Sequence, residues 1–516
     1  MSEEQKGHVF AGFVDLASAD LGGEAQYATD DFFAEKENLT NPKDAIFIPE
    51  KMTERGKWMD GWESRRRRLP GHDYCIVKLG AAGQIAGVDI DTAHFLGNHP
   101  PYGSLDACSV PEDTPIETLR DEVIWTEILP ASPLQLGAHN LYPVASKERW
   151  THVRLHMYPA GGIARLRVYG EVKPEAERFS QGALDLLALE NGGKALACSD
   201  MFFSPMDNLL SPKAPQSMLD GWETRRRRIG GHDWVVLRLG QPGTIERLQV
   251  DTHFFNGNYP DACSAEGIYW PDAPLPDLLA SPDWSPLMPP QKLQANAEHQ
   301  FHQEHGLEVQ KPITHLRLAI LPDGGLSRVR AHGYAVPLEK PFQEAHPALE
   351  AINGASAEER QSLVMRCCGS TRFAQAMAKE GPFVSMAALM GAAERIWWRL
   401  SETDYLESFT HHPQIGASRE ELAKRFPDTQ DLSGQEQAKV AHAPGEVLDR
   451  LAEKNKDYLD RFGFIFIVCA TGKTAQEMLA LLEERLKNTR EQEIYYAAGE
   501  QAKITRLRLA QLKTEA

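Results

Sequence analysis

Two runs of four arginines, residues 65–68 and 225–228, are the most pointed chemical feature of the sequence. A guanidinium is a planar fork of donors that matches a carboxylate, so such a run suggests an anionic ligand. The plainer alternative is a solvated charge run or a localisation-type basic patch. The same polar types surround both runs. Glu63, Arg65, Arg67, His72, Asp73, Asp91, His94 and Asn98 stand around the first; Glu223, Arg225, Arg227, His232, Asp233, Asp251, His253 and Asn258 stand around the second. Carboxylates and imidazoles move protons in a hydrolysis, and amides recognise ureido groups. The alternative for the acids is that Asp73 and Asp91 pair with arginines as scaffold. On a strand, alternate arginines face opposite ways, so one pair can meet a ligand while the other meets neighbouring acids.

A second group lies far downstream. In HHPQIG (residues 411–416) a proline after histidine pins the backbone and a glycine permits a turn, which holds His412 at the edge of an element. SGQEQ (residues 433–437) reads as a helix start presenting a hydroxyl, a carboxylate and an amide. FGFIFIV (residues 462–468) is too apolar for a surface loop. Taken singly, these segments also read as a capping histidine, a capping serine and a core strand. His299, His302 and His305 are spaced by three, but only His299 has a counterpart, His139. A polar loop is favoured over a ligand set, which leaves a divalent metal open but unsupported.

The elements that must position these residues follow from a duplication. DGWESRRRRLPGHDY (residues 60–74) recurs as DGWETRRRRIGGHDW (220–234), and DIDTAHFLGNHP (89–100) as QVDTHFFNGNYP (249–260). DACS occurs at Asp106 and again at Asp261, Trp125 answers to Trp284, and HVRLHMYPAGG (152–162) to HLRLAILPDGG (315–325). Within 152–158, Val153, Leu155 and Met157 alternate with His152, Arg154 and His156; Val88 and Ile90 alternate with Asp89 and Asp91. A period of two puts one set in a core and the other on an exposed face. Each copy is therefore expected to be an antiparallel jelly roll or sandwich, residues 8–175 and 176–335. The Pro-rich stretch 271–290 reads as a long ordered loop or linker-like excursion. The copies differ at Ala93-His94 against His253-Phe254 and at PAGG against PDGG, so one catalytic copy or one shared site both remain open.

After a proline-bearing linker at 336–344 the period becomes helical. Leu389, Ala393, Ile396, Trp397 and Leu400 follow helix spacing, as do Ala475, Met478, Leu479, Leu482 and Leu486, the latter preceded by Thr474 and Glu477 at capping-box spacing. Another long helix is expected from Glu491 to Leu512. Residues 345–512 are enough for an all-α bundle with its own core.

A chain of 516 residues calls for several domains, and a formal charge of -18 makes nucleic acid a poor general partner. No apolar run approaches the roughly 18 residues that cross a bilayer, and the opening MSEEQKGHVF shows no secretory pattern. Seven scattered cysteines without a CxxC fit reduced thiols in the cytoplasm. A homo-oligomer acting on small molecules is expected.

The doubled DGWE-RRRR-GHD, DT-HF-GN-P and PxGG blocks resemble allantoicase over residues 8–335. The resemblance implies two jelly-roll copies that hydrolyse allantoate to ureidoglycolate and urea, and it supplies no settled catalytic assignment. CCGS at Cys367, IWWRLSETDYLESF before the HHP, and the three downstream segments resemble 2-oxo-4-hydroxy-4-carboxy-5-ureidoimidazoline (OHCU) decarboxylase over residues 343–512. That resemblance implies an all-helical, cofactor-free enzyme yielding (S)-allantoin, with His412 as acid/base and Glu436 as its partner. It also implies a pocket of Pro413, Ser433, Gln437, Phe466, Ile467, Val468, Cys469 and Ala470. Ile465 stands where many relatives carry proline. The alternative function is a decarboxylase fused to a non-catalytic jelly-roll binding module.

Overall fold

The computed structural model describes residues 9–10, 12–180, 182–337, 342–412, 445–471 and 473–513. The chain divides into two compact units, residues 1–268 with 285–341 and residues 269–284 with 342–516.

In the first unit each copy is built round one strand of 19 residues, Asp73–Asp91 and Asp233–Asp251. The first half of Asp73–Asp91 pairs with Arg149–Tyr158 and Glu24–Ala28. Its second half pairs with Arg165–Val172 and Leu141–Pro143, and all four pairings are antiparallel. One strand thus serves two layers and must bend between them. At the bend a Cβ on Gly80 would lie 2.6 Å from Gly23 N, and one on Gly83 2.4 Å from Glu171 O. Backbone approaches backbone there, so only glycine fits. Gly240 and Gly243 repeat the device, 1.7 Å from Asn191 O and 2.5 Å from Tyr334 O. Tyr102–Cys108 and Thr126–Pro133 extend the layer beyond Arg149–Tyr158. The product is a sandwich, twice.

The two cores are filled alike. Trp62 and Trp222 are fully buried, and each donates its indole N–H to a backbone oxygen, Asp30 O and Asp200 O, at 2.8 Å. Val153, Leu155, Met157, Val88 and Ile90 are buried as the alternation predicts, and so are Leu316, Leu318 and Ile320.

Several expectations are corrected. His152, His156, Asp89 and Asp91, expected on an exposed face, are also buried. The second face is covered as well: Asp89 accepts from Asn140 N at 3.0 Å and meets His139 Nδ1 at 2.7 Å, which with burial opposing pushes the His139 imidazole up to about 9. The DACS segments are not equivalent. Arg154 faces Asp106 across the sheet and Arg317 faces Glu266, so Glu266 is the counterpart of Asp106; Asp261 precedes its strand and pairs with Lys292. The arginine runs lie on extended chain rather than on a strand, because Trp62–Glu63 pairs with a partner of only two residues, Gly162–Ile163. Residues 271–290 hold a helix, Leu275–Ala280, and a strand, Ser285–Lys292, whose prolines are tolerated at the sheet edge.

In the second unit the described helices include Ala357–Cys368, Thr371–Glu380, Met386–Trp397, Glu402–Thr410, Gly445–Phe462, Ala475–Arg485 and Arg490–Ala510. The predicted Thr474 and Glu477 capping box is present, with both reciprocal bonds. CCGS is a helix junction: Gly369, at φ 79°, ends one helix, and Ser370 caps the next through Phe373 N. Residues 463–470 form no strand; they are a buried extended connection between helices. Residues 338–341 of the expected linker lie outside the described residues.

His152 and His315 occupy matching buried sites, each bonded through Nδ1 to the preceding threonine at 2.9 Å. Burial, reinforced by Lys78 and Arg238, pushes both down from 6.5 to about 4. The unfolded chain therefore protonates first, so their contribution to stability is complete above about pH 6.5 and is lost as the pH falls toward 4. The urea midpoint of the β unit is expected to fall across that window. A His152→Leu/His315→Leu variant should show a shallower fall; an unchanged slope would assign the acid sensitivity to other groups.

Candidate functional site

The bend in the long strand decides where the polar residues meet. Because the strand returns on itself, its two ends open beside the same connection. Asp73 N donates to Pro159 O at 3.1 Å, while Ala164 N donates to Asp91 O at 2.7 Å. The extended arginine segment lies against that connection, Ser64 N donating to Gly161 O at 3.0 Å, and the loop after Asp91 closes it, Gly162 N donating to Asn98 O at 2.8 Å.

Within this end of the first copy, Arg67 Nη1 bonds Asp73 Oδ1 at 2.7 Å, and Thr29 Oγ1 donates to the same oxygen at 2.9 Å. Arg65 Nε bonds Asp30 Oδ2 at 2.6 Å and its guanidinium lies over Phe32. Asn98 Nδ2 donates to Glu63 Oε1 at 2.6 Å; burial holds the Glu63 carboxyl above its ordinary range, with the Asn98 bond opposing. The second copy repeats these contacts: Arg227 with Asp233 at 2.7 Å, Ser199 with Asp233 at 2.9 Å, Arg225 with Asp200 at 3.0 Å, and Asn258 with Glu223 at 2.6 Å. Asp323 of PDGG accepts from Arg227 N at 2.8 Å, a bond that Ala160 of PAGG cannot make.

The candidate arginines thus divide by parity. Arg65, Arg67, Arg225 and Arg227 meet acids, whereas Arg66, Arg68, Arg226 and Arg228 are exposed and have no ion-pair partner among the described residues. The runs were singled out whole, but the site candidates drawn from them were the odd-numbered arginines, which meet acids; Thr29 and Asp30 with their counterparts Ser199 and Asp200 were not singled out. The signal for the last four was present in TDDFF and SDMFF.

Other candidates hold turns. Asp91 Oδ1 accepts from Ala93 N at 2.7 Å, and Asp251 Oδ1 takes His253 N at 2.8 Å and His253 Nδ1 at 2.6 Å. His94 bonds Ala45 O at 3.0 Å from a left-handed backbone, φ 67°, that Phe254 shares, so this conformation belongs to the turn. His299, His302 and His305 engage backbone or one another, and no metal-holding group occurs among the described residues.

One arrangement is confined to the first copy. His72 Nε2 lies 2.8 Å from His156 Nδ1, and His156 Nε2 lies 2.9 Å from Asp106 Oδ2, which Arg154 Nη2 also bonds at 2.7 Å. In the second copy Ala319 replaces His156, and Glu266 pairs with Arg317 at 2.6 Å, with no imidazole bonded to it among the described residues. His232 is exposed.

In the helical unit His412 follows Glu402–Thr410, and Phe409 packs on Phe464 at 5.3 Å between ring centroids. Burial, with the Arg508 charge added and the Gln501 amide opposing, pushes the imidazole down to about 3. It is uncharged at neutral pH. Residues 466–470 are fixed by their backbone: Arg485 Nη1 donates to Ile467 O at 2.8 Å, Lys473 Nζ to Cys469 O at 2.6 Å, and Cys469 N to Glu500 Oε2 at 2.7 Å. Gln501, next to Glu500, acts on His412, so the last helix joins both parts. Glu436, Pro413, Ser433 and Gln437 lie outside the described residues.

The allantoicase repeat model matches residues 14–173 and again 184–336. The chain belongs to the allantoicase family. A probable allantoicase of Burkholderia mallei is 46 % identical over 323 residues, covering 62 % of this chain and 94 % of its own length. One from Pseudomonas aeruginosa is 46 % identical over 326 residues, 63 % of this chain and 96 % of its own. The crystal structure of Saccharomyces cerevisiae allantoicase is 36 % identical over 62 % of this chain and 93 % of its own, with a TM-score of 0.51. Residues 353–510 match the OHCU decarboxylase family, so the two allantoicase repeats are followed by an OHCU decarboxylase domain.

The segment 466–470 of that decarboxylase domain rests on a buried group. Arg485 pairs with Glu493 at 2.6 Å, with Glu493 fully buried and also bonded by Tyr458 OH and Asn488 Nδ2. Removing one partner strands the other charge, which costs about 3–5 kcal/mol. Glu493→Ala should therefore lower the unfolding free energy of the decarboxylase domain by that amount and raise hydrogen exchange at Cys469 N. An effect below about 1 kcal/mol would show the pair to be dispensable.

Proposed function

We propose that the allantoicase repeats hydrolyse allantoate to ureidoglycolate and urea, and that the helical domain decarboxylates OHCU to (S)-allantoin. For the hydrolase, the supporting observation is the gathering of exposed arginines, the half-buried Glu63 carboxyl bonded to Asn98, and imidazole at one end of the sandwich. Allantoate has one carboxylate and two ureido arms. Arginine forks suit the first, and an amide paired with a carboxyl suits the N–H and C=O groups of the second.

For the decarboxylase, the supporting observation is a half-buried, uncharged His412 under the influence of the buried Arg508 cation. Loss of carbon dioxide leaves negative charge on a carbon conjugated to the ring. A neutral imidazole can accept the substrate hydroxyl proton and deliver one to a single face of that carbon. A cation in a dry site stabilises the charge while it lasts. This chemistry needs no cofactor.

The cytoplasm is the proposed compartment. All seven cysteines are free, and no helix among the described residues is long and apolar enough to cross a membrane.

Purified full-length protein should release urea from allantoate; the assay run with and without a chelator also tests for a metal. Absence of urea under both conditions would leave the repeats as a binding module. His412→Ala should slow decarboxylation by about 10²–10⁴-fold with unchanged circular dichroism. Near-normal turnover would remove His412 from the mechanism.

A further inference from the structure

The two copies share their arginine–carboxylate pairs but not the contact of His72 with His156, and that difference assigns the chemistry. Asp106 is the fixed point. Burial works against its charge, but the bonds from His156 and Arg154 outweigh it and hold the carboxyl below its ordinary range. Asp106 is therefore an acceptor; Arg154 Nε lies 3.2 Å from both its Oδ2 and His156 Nε2, and with that N–H directed to the carboxylate, His156 Nε2 carries the proton toward Asp106 at 2.9 Å. In a neutral His156 the other nitrogen, Nδ1, is then an acceptor. In that tautomer the 2.8 Å contact from His72 Nε2 is a donation from His72. His72 Nδ1 is left with its lone pair, and no described residue bonds it. Burial and the Arg67 charge hold His72 below its ordinary value, so it is uncharged near neutrality. Tyr158 fixes the ring from one side, 4.4 Å between centroids. Each link sets the tautomer of the next, by the same logic by which an acid orients a catalytic histidine.

The second copy keeps His232 and an acid, Glu266, but lacks what joins them. Ala319 stands for His156 and Leu321 for Tyr158, and among the described residues Glu266 holds Arg317 and no imidazole.

Building on the hydrolase reading above, we propose that the first repeat carries the hydrolysis, with His72 Nδ1 as its general base and His156 and Asp106 as positioning residues. Since urea leaves intact, the bond broken joins the central methine carbon to a ureido nitrogen. His72 Nδ1 takes a proton from water as the water oxygen bonds to that carbon. The C–N bond breaks with its electron pair going to nitrogen, and the imidazolium returns the proton to that nitrogen. Water is consumed, and ureidoglycolate and urea are formed.

The test uses the full chain and allantoate, with fold checked by thermal unfolding. His72→Gln should lower kcat by about 10²–10⁴-fold. Asp106→Asn should lower kcat with KM nearly unchanged, and Asp106→Glu, the length that Glu266 has at the same register, should restore part of it. Glu266→Gln should leave urea release as it was. The assignment is overturned if His72→Gln stays active, or if Glu266→Gln loses as much as Asp106→Asn. If the unaltered protein releases no urea, the hydrolase reading fails and takes this inference with it; an active parent with an active His72→Gln removes this inference alone.

Discussion

Everything at the candidate hydrolase end depends on a strand that belongs to two layers. A 19-residue strand is buried along most of its length, and its bend has no room for a side chain at Gly80 or Gly83. That close backbone approach brings Asp73 and Asp91 to the same end, though they are the two termini of one element. Once they are there, the short connection 159–164 is hydrogen-bonded to both, and the arginine segment and the loop bearing Asn98 are docked on it by main-chain bonds. Main-chain bonds fix the frame, and side-chain identity then sets the chemistry. This is why two copies with the same frame can present different functional groups.

Much of this was legible in the residues. The duplication, the inward sets such as Val153, Leu155 and Met157, the capping box at Thr474 and the helical character of the last third all follow from local pattern, and the structure has them. What local pattern could not give was register and pairing. The DACS match is a coincidence of four letters; only the ladder shows that Asp106 answers to Glu266. His72 and His156 are 84 residues apart, and nothing in their spacing says that they touch. The period of two also misjudged one face, because a strand covered on both sides has no exposed set. Its polar residues, Asp89 and His152 among them, are buried with partners instead.

The last helix of the decarboxylase domain shows a related limit. Its length was readable, but its inward face carries Glu493, Gln501, Thr505 and Arg508, all buried. A helix that buries polar groups lacks a clean apolar stripe, so its role is hidden from periodicity. Burying such groups is costly unless each is bonded. Here Glu493 bonds Arg485 and Tyr458, and Gln501 donates to Cys368 O and Thr505 Oγ1. The neighbouring Glu500 holds the segment 466–470 through Cys469 N. A helix surface that could have been filled with leucine is used to fix a backbone and to shift a histidine.

Duplication separates constraints that a single copy must satisfy together. The tryptophan plug, the glycine bend and the Arg–Asp pairs are needed for each sandwich to close, and both copies have them. The imidazole chain is not needed for closure, since the second copy folds with Ala319 in its place. A group that one copy keeps and the other lacks, within an otherwise shared frame, is therefore present for a reason other than folding. The same separation applies between the proposed activities. The decarboxylation ends at (S)-allantoin, a closed ring, whereas the hydrolase starts from the ring-opened allantoate. A ring-opening hydrolysis must intervene, so the two sites have no shared intermediate to pass and need no common chemistry.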